Sequence, residues 1–165
     1  MPIFKQLRAL LLPIVVAGLV PAWLLYSSGM APAWRLSPPW NWLTPALALL
    51  LTACGLVLLV WTVSAFARLG RGTLAPWDPP QKLVVRGVYR HVRNPMITGV
   101  FAIVLGETLL FGSSALLVWF LFVVVVNLIY IPFLEERGLE KRFGEDYRIY
   151  KKNVPRWIPR LRPWK

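Results

Sequence analysis

The chain is poor in the side chains on which much enzyme chemistry rests. Of 165 residues, one is cysteine, one is histidine and only seven are acidic, against 19 Lys plus Arg. The lone Cys54 excludes a disulfide within the chain, and its place in an apolar run gives it a buried packing role. His91 has no second His, Cys or carboxylate at ligand spacing, so no metal site is expected. No phosphate-binding glycine loop, dinucleotide fingerprint, nucleophile elbow or zinc motif occurs. There is no low-complexity tract and no internal repeat.

Charge is also absent over long stretches. Ala9–Ser28 and Ala115–Leu134 carry none in 20 positions each, and Thr44–Ala67 carries none in 24. Yet the net charge is +12 and 57% of the residues are hydrophobic. The two facts are compatible only if charge and apolarity are segregated along the chain, as in a membrane protein. A helix rising 1.5 Å per residue crosses a hydrocarbon core of roughly 30 Å in about 20 residues. A fourth apolar stretch, Ile97–Gly112, is interrupted only by Glu107 and is separated from the next by Ser113-Ser114. The expected fold is all-α and integral to the membrane. It is one membrane domain over 1–165, with four spans near 9–28, 44–67, 96–112 and 115–134, the last two a tight hairpin. Lys5, Arg8, the first apolar run and Ala31-Pro32-Ala33 resemble a secretory signal. The run is longer than such signals use and three more spans follow, so it reads as a membrane span.

Basic residues set the orientation. Two precede the first span, one lies in the first loop, six lie between spans two and three, none lies in the hairpin link, and ten follow Leu134. Both termini, the loop 68–95 and the tail 135–165 are therefore expected in the cytoplasm, with Trp34, Trp40 and Trp42 at the outer interface. The tail reads as a continuation of the fourth helix, broken at Gly138 and ended at Gly144. A short helix follows, with Tyr147 and Tyr150 on one face. Pro155, Pro159 and Pro163 then give an extended strip on the membrane surface. In it Trp157, Ile158 and Trp164 are expected to dip inward while Arg156, Arg160 and Arg162 meet lipid phosphates. Basic residues beside aromatics can mark nucleic-acid binding, but here anionic lipid headgroups explain them better and no nucleic acid is expected.

Three features could carry chemistry. Gly87-Val88-Tyr89-Arg90-His91-Val92-Arg93-Asn94-Pro95-Met96 crowds polar groups at the start of span three. There they are either a basic anchor or, with the free N–H groups of the helix start, a pocket for an anionic or nucleotide-like group. Glu135-Glu136 follows an apolar span. Adjacent helical residues point about 100° apart, so one carboxylate can face a pocket while the other pairs with Arg137, Arg142 or a loop arginine. Glu107, a carboxylate within the membrane, is a functional candidate by its cost alone, although it lies far from the basic cluster and reads as structural.

The first block, extended through Ile97-Thr98-Gly99, resembles the pattern Gly-x-Tyr, spacer, Arg-His/Asn-Pro-x-Tyr-x-Gly. Glu135-Glu136, Phe143-Gly144-Glu145-Asp146-Tyr147 and Tyr150-Lys151-Lys152-x-Val154-Pro155 resemble a second block. Together, over residues 68–160, they resemble the isoprenylcysteine carboxyl methyltransferases and the related membrane phospholipid methyltransferases. The resemblance implies an integral-membrane enzyme that transfers methyl from S-adenosyl-L-methionine to a lipophilic or lipid-borne acceptor at the cytoplasmic interface, in a bacterial inner membrane. It implies cofactor contacts at Gln81, Lys82, Leu83, Val84, Tyr89, Asn94, Pro95, Met96, Ile97 and Glu135, and catalytic roles for Arg93, Asn94 and Glu136. Arg93 or Arg90 would hold the cofactor carboxylate, Glu135 or Glu136 its ammonium or ribose, and Tyr89 or Tyr147 its adenine or sulfonium. Ile97 stands where the family often has Tyr, and Asn94 where it often has His. Ile131 stands where prenylcysteine enzymes carry an arginine, which argues against a prenylcysteine carboxylate as acceptor. Val154–Pro159 also resembles the end of NADPH-dependent membrane sterol reductases, and Ile97 suits a non-catalytic member, so both readings stay open.

Overall fold

The computed structural model describes residues 10–29, 36–69 and 83–165. Every regular element among them is helical: α1 (Leu10–Ser27), α2 (Trp40–Leu69), a 3-10 turn (Gly87–Arg90), α3 (Pro95–Phe111), α4 (Ser114–Tyr130) and α5 (Glu136–Asn153). A π-type turn, Ile131–Glu135, joins α4 to α5 without a break. α1, α2 and the long helix begun by α4 are apolar and long enough to cross a membrane. α3 is apolar but shorter, at 17 residues. The expectation of an all-α membrane protein therefore holds, with three helices among the described residues long and apolar enough to span and α3 a shorter apolar helix.

Local sequence sets the boundaries. Pro95 occupies the first turn of α3, where its missing N–H costs nothing. Gly112 ends that helix in the left-handed region at φ 55°, and Ser113 caps α4 by accepting from the Leu116 N–H. The hairpin link is thus Gly112-Ser113, one residue earlier than expected, with Ser114 already helical.

Small residues allow α2 and α3 to pack backbone to backbone. A side chain built on Gly55 would lie 2.6 Å from the Gly99 carbonyl oxygen, and one on Gly106 would lie 2.8 Å from that of Ala48. α3 and α4 meet through the edge-to-face pair Phe101–Phe120. α1 is held to α4 by Trp119, whose Nε1 donates to the Val16 carbonyl at 2.9 Å. That carbonyl is free for a specific reason. Val15–Leu19 is wound in π register, with the Val20 N–H on Val15 O. In this register the partner of Val16 would be Pro21, which has no N–H. Cys54 corrects the expected packing role. It lies on an exposed face of α2, where apolar residues meet lipid rather than protein.

The apolar part of the long helix ends at Leu134, and α5 is amphipathic. Gly138 does not interrupt it. Gly144, at φ 55° and ψ −126°, does, and the chain resumes as a second helical piece to Asn153. The strip after Asn153 is the larger correction. It turns back onto the loop before α3 and hydrogen-bonds to it. Arg93 N–H donates to Pro155 O (2.9 Å) and Asn94 N–H to Arg156 O (3.3 Å). In return Arg160 N–H donates to His91 O (3.0 Å) and Trp164 N–H to Arg90 O (2.9 Å). Proline-rich chain cannot be helical, so its backbone groups are satisfied by those of the irregular loop. Trp164 packs on Tyr150 and Trp157 on Phe101, while Ile158 is exposed.

Candidate functional site

Two small cores build the floor of the site. Val88, Tyr89 and Val92 pack with Leu58 of α2 and Val84. Tyr147, Tyr150 and Val154 pack with Leu83, Val85, Leu139, Phe143 and Trp164. The Tyr150 hydroxyl joins them by donating to the Tyr89 carbonyl at 2.7 Å. Tyr147 and Tyr150 share a face, as their spacing predicts, and their rings are 6.1 Å apart. Burial raises the pKa of all three tyrosines, that of Tyr147 to about 12. They are therefore neutral hydroxyls at physiological pH.

Above this floor lies a cavity of about 570 Å³. Its polar end is lined by Leu83, Val84, Tyr89, Arg93, Asn94, Pro95, Met96, Ile97, Glu135 and Tyr147. Its other end runs between α1 and α4, along Leu12, Pro13, Val16, Val123, Val126, Asn127 and Tyr130. Eight of the ten residues expected to contact a cofactor thus border one space. The other two, Gln81 and Lys82, lie outside the described residues.

Glu135 and Glu136 divide as adjacent helical positions must. Glu135 lines the cavity, and burial together with the Glu136 charge raises its pKa. Glu136 points away from it and is 2% exposed. Arg156 grips it with two hydrogen bonds, Arg93 Nη1 lies 3.0 Å from Oε1, and Lys151 Nζ lies 3.3 Å from Oε2. Burial alone would raise its pKa, but these cations outweigh it and hold the carboxylate below its ordinary range. The sequence anticipated a loop arginine as partner. It did not anticipate Arg156 or Lys151, and the expected partner Arg137 instead lies over the Phe133 ring. Arg156 and Arg160, expected at lipid phosphates, both have partners within the protein. Arg160 Nη1 donates to Asn153 O at 2.7 Å.

The arginine of the first block is placed between these features. Arg93 lines the cavity with its side chain 7% exposed. Its Nε and Nη1 are buried without an aligned hydrogen-bond acceptor among the described residues. Arg90, by contrast, donates through Nε to the Trp164 carbonyl. His91 Nδ1 donates to the Arg160 carbonyl at 2.7 Å. Both hold the C-terminal strip and do not border the cavity. Asn94 precedes α3 without a side-chain cap bond and borders the cavity. Glu107 is absent from the lining, although its Oε2 is buried without a hydrogen-bond partner among the described residues. Sequence reasoning missed Asn127, Tyr130 and the α1 residues, because their spacing in uniformly apolar helices carries no site signal.

The phospholipid methyltransferase family matches residues 43–146. A phosphatidylethanolamine N-methyltransferase of Aspergillus terreus is 30% identical over 146 residues, covering 81% of this chain and 15% of that protein. A protein-S-isoprenylcysteine O-methyltransferase of Schizosaccharomyces pombe is 35% identical over 83 residues, 47% of this chain and 33% of its own length. An uncharacterized protein of Haemophilus influenzae is 39% identical over 66 residues, 38% of this chain and 100% of its own. The chain thus spans a third or less of the two relatives that bear an enzyme name. No solved structure matches.

Proposed function

This chain belongs to the phospholipid methyltransferase family, and from that premise we propose that it transfers methyl from S-adenosyl-L-methionine to a lipophilic acceptor at the cytoplasmic face of its membrane. The observation that carries the reading is that one cavity is lined both by the polar groups around Arg93 and Glu135 and by apolar residues of α1 and α4. A water-soluble donor and a lipid-borne acceptor can meet only in such a space.

The residues at the polar end fit the donor. Arg93 borders the cavity with a buried Nε that has no aligned acceptor among the described residues, which leaves a donor for a carboxylate beside the Nη1 paired with Glu136. Glu135 offers a carboxylate to an ammonium or to ribose hydroxyls. Tyr89 and Tyr147 offer neutral aromatic faces to adenine or to a sulfonium. Asn94 and the uncapped start of α3 present donors on the same wall. Glu136 acts from outside the cavity, by holding Arg93 in place. When bound, the donor supplies an electrophilic methyl carbon, to which the acceptor's lone pair bonds as the carbon–sulfur bond breaks. The protein's contribution to that displacement is alignment of the two reactants and exclusion of water.

Orientation follows from the basic residues, with both termini cytoplasmic. The exposed cations Arg137, Lys141, Arg148 and Lys152 on α5 would then meet anionic headgroups. Binding of S-adenosylmethionine, S-adenosylhomocysteine and NADPH to the detergent-purified protein tests the reading. Micromolar binding of the two sulfur nucleotides and not NADPH is expected. Binding of NADPH alone would replace the reading with a reductase, and binding of none with a non-catalytic member of the family.

A further inference from the structure

The two residues of the loop before α3 that stay off the cavity, Arg90 and His91, form matching clasps on the C-terminal strip. The His91 carbonyl accepts from the Arg160 N–H at 3.0 Å, and His91 Nδ1 donates back to the Arg160 carbonyl at 2.7 Å. The Arg90 carbonyl accepts from the Trp164 N–H at 2.9 Å, and Arg90 Nε donates back to the Trp164 carbonyl. In each clasp one loop residue commits both its carbonyl and its side chain to one residue of the strip. That residue directly follows a proline, Pro159 or Pro163. A proline has no N–H to offer, so the next residue carries the donor.

What the clasps hold in place is Arg156, four residues before Arg160. Its carbonyl accepts from the Asn94 N–H, and its guanidinium makes two hydrogen bonds to Glu136. Glu136 is 2% exposed, so protein cations rather than water must satisfy its charge. With the strip undocked, only Arg93 and Lys151 would remain to do so. Arg93 would then be drawn from the cavity onto the carboxylate. With the strip docked, Arg93 stays at the cavity, and its Nε has no aligned acceptor among the described residues.

We propose that His91 is a positioning residue for the donor site: with Arg90 it clasps the strip, the strip holds Arg156 on Glu136, and Glu136 so held leaves Arg93 at the cavity. The inference rests on the methyl-transfer reading, in which Arg93 meets the donor. The coupling is reciprocal, so bound donor favours the docked strip by the same factor as the docked strip favours the donor. Two measurements on the full chain in detergent test it, with S-adenosylhomocysteine as the probe. In calorimetric titration, His91→Ala should weaken binding about tenfold, the worth of one hydrogen bond. His91→Asn, whose amide N–H can stand where Nδ1–H stands, should recover most of that loss. His91→Gln, whose amide nitrogen falls nearer the Nε2 position, should not. In hydrogen exchange of the wild type, the strip's amides, those of Arg160 and Trp164 included, should slow several-fold when the probe saturates the site. A clasp that is only structural would lower the unfolding midpoint of His91→Ala and leave probe affinity and strip exchange unchanged, which overturns the proposal. Unchanged exchange in the wild type overturns it even if His91→Ala does not fold. Failure of the wild type to bind the probe overturns the methyl-transfer reading and the proposal together, whereas equal binding by all four proteins overturns the proposal alone.

Discussion

Arg156 meets Glu136 edge to edge, Nε donating to Oε1 at 2.6 Å and Nη2 to Oε2 at 3.0 Å. The kink at Gly144 and the turn at Val154 bring them together across 20 residues of chain. Arg93 and Lys151 reach the same carboxylate. One buried group thus joins the loop before α3, the start of α5 and the C-terminal strip.

Removing that charge should be severe. Glu136→Gln leaves Arg93 and Arg156 facing a neutral amide, and losing one partner of a buried ion pair costs about 3–5 kcal/mol. Arg156→Lys keeps the charge but loses the bidentate geometry and should cost less than half as much. Thermal unfolding in detergent orders the three proteins. Wild-type stability in Glu136→Gln would show that the network does not hold the strip in place.

The two glutamates should give opposite pH dependences. Glu136 has a lowered folded pKa, so its stabilisation is full above the unfolded carboxylate value near 4.3 and is lost as pH falls through the folded value. Glu135 has a raised folded pKa, so it favours the fold most below the unfolded value and loses that contribution as pH rises through the folded one. Glu135→Gln should flatten stability on the upper side of the carboxylate range, and Glu136→Gln on the acid side. Unfolding midpoints across pH 3–8 check this, and a common profile for both variants would contradict it.

Much of this arrangement is legible in the sequence, because it rests on short-range signals. Uncharged runs mark the helices, Pro95 and Gly112 mark the ends of α3, and the step from Glu135 to Glu136 fixes which carboxylate faces inward. The path of the C-terminal strip is not legible. Arg156, Arg160 and Trp164 read equally well as lipid-facing residues, and only the backbone pairing with 90–94 shows that they close on the loop. The π-type turns are also hidden, although Pro21 and Pro132 each sit at one. A proline in an apolar helix indicates a disturbed ladder but not the register in which the ladder resumes.

Side chains at the polar end should separate from the intramembrane carboxylate in binding. Glu135→Gln and Asn94→Ala each remove a cavity-lining group, and a hydrogen bond to a charged partner is worth about 1.5–3 kcal/mol. S-adenosylhomocysteine affinity should fall by roughly 10–100-fold for Glu135→Gln and less for the neutral Asn94. Glu107→Gln lies off the cavity and should leave affinity unchanged. Calorimetric titration of folded variants decides it, and equal loss in all three would overturn the placement of the site.

The wall between α1 and α4 should depend on one hydrogen bond whose need arises from a proline. Val16 O has no intrahelical donor because Pro21 occupies the position that would supply it, and Trp119 Nε1 fills the gap. Trp119→Phe keeps an aromatic ring, which in the wild type stacks on Phe122, but leaves a carbonyl unpaired at bilayer depth. The cost should be about 1–3 kcal/mol. Pro21→Ala restores an N–H within reach of that carbonyl. By itself it should cost stability, because Pro21 is buried and the smaller side chain leaves a void. In the Trp119→Phe background it should recover part of the loss, so the two changes together should cost less than their sum. A double-mutant cycle on unfolding midpoints measures this coupling. Strict additivity would mean that Val16 O finds another donor when Trp119 is gone, and that Pro21 does not create the need for the bond.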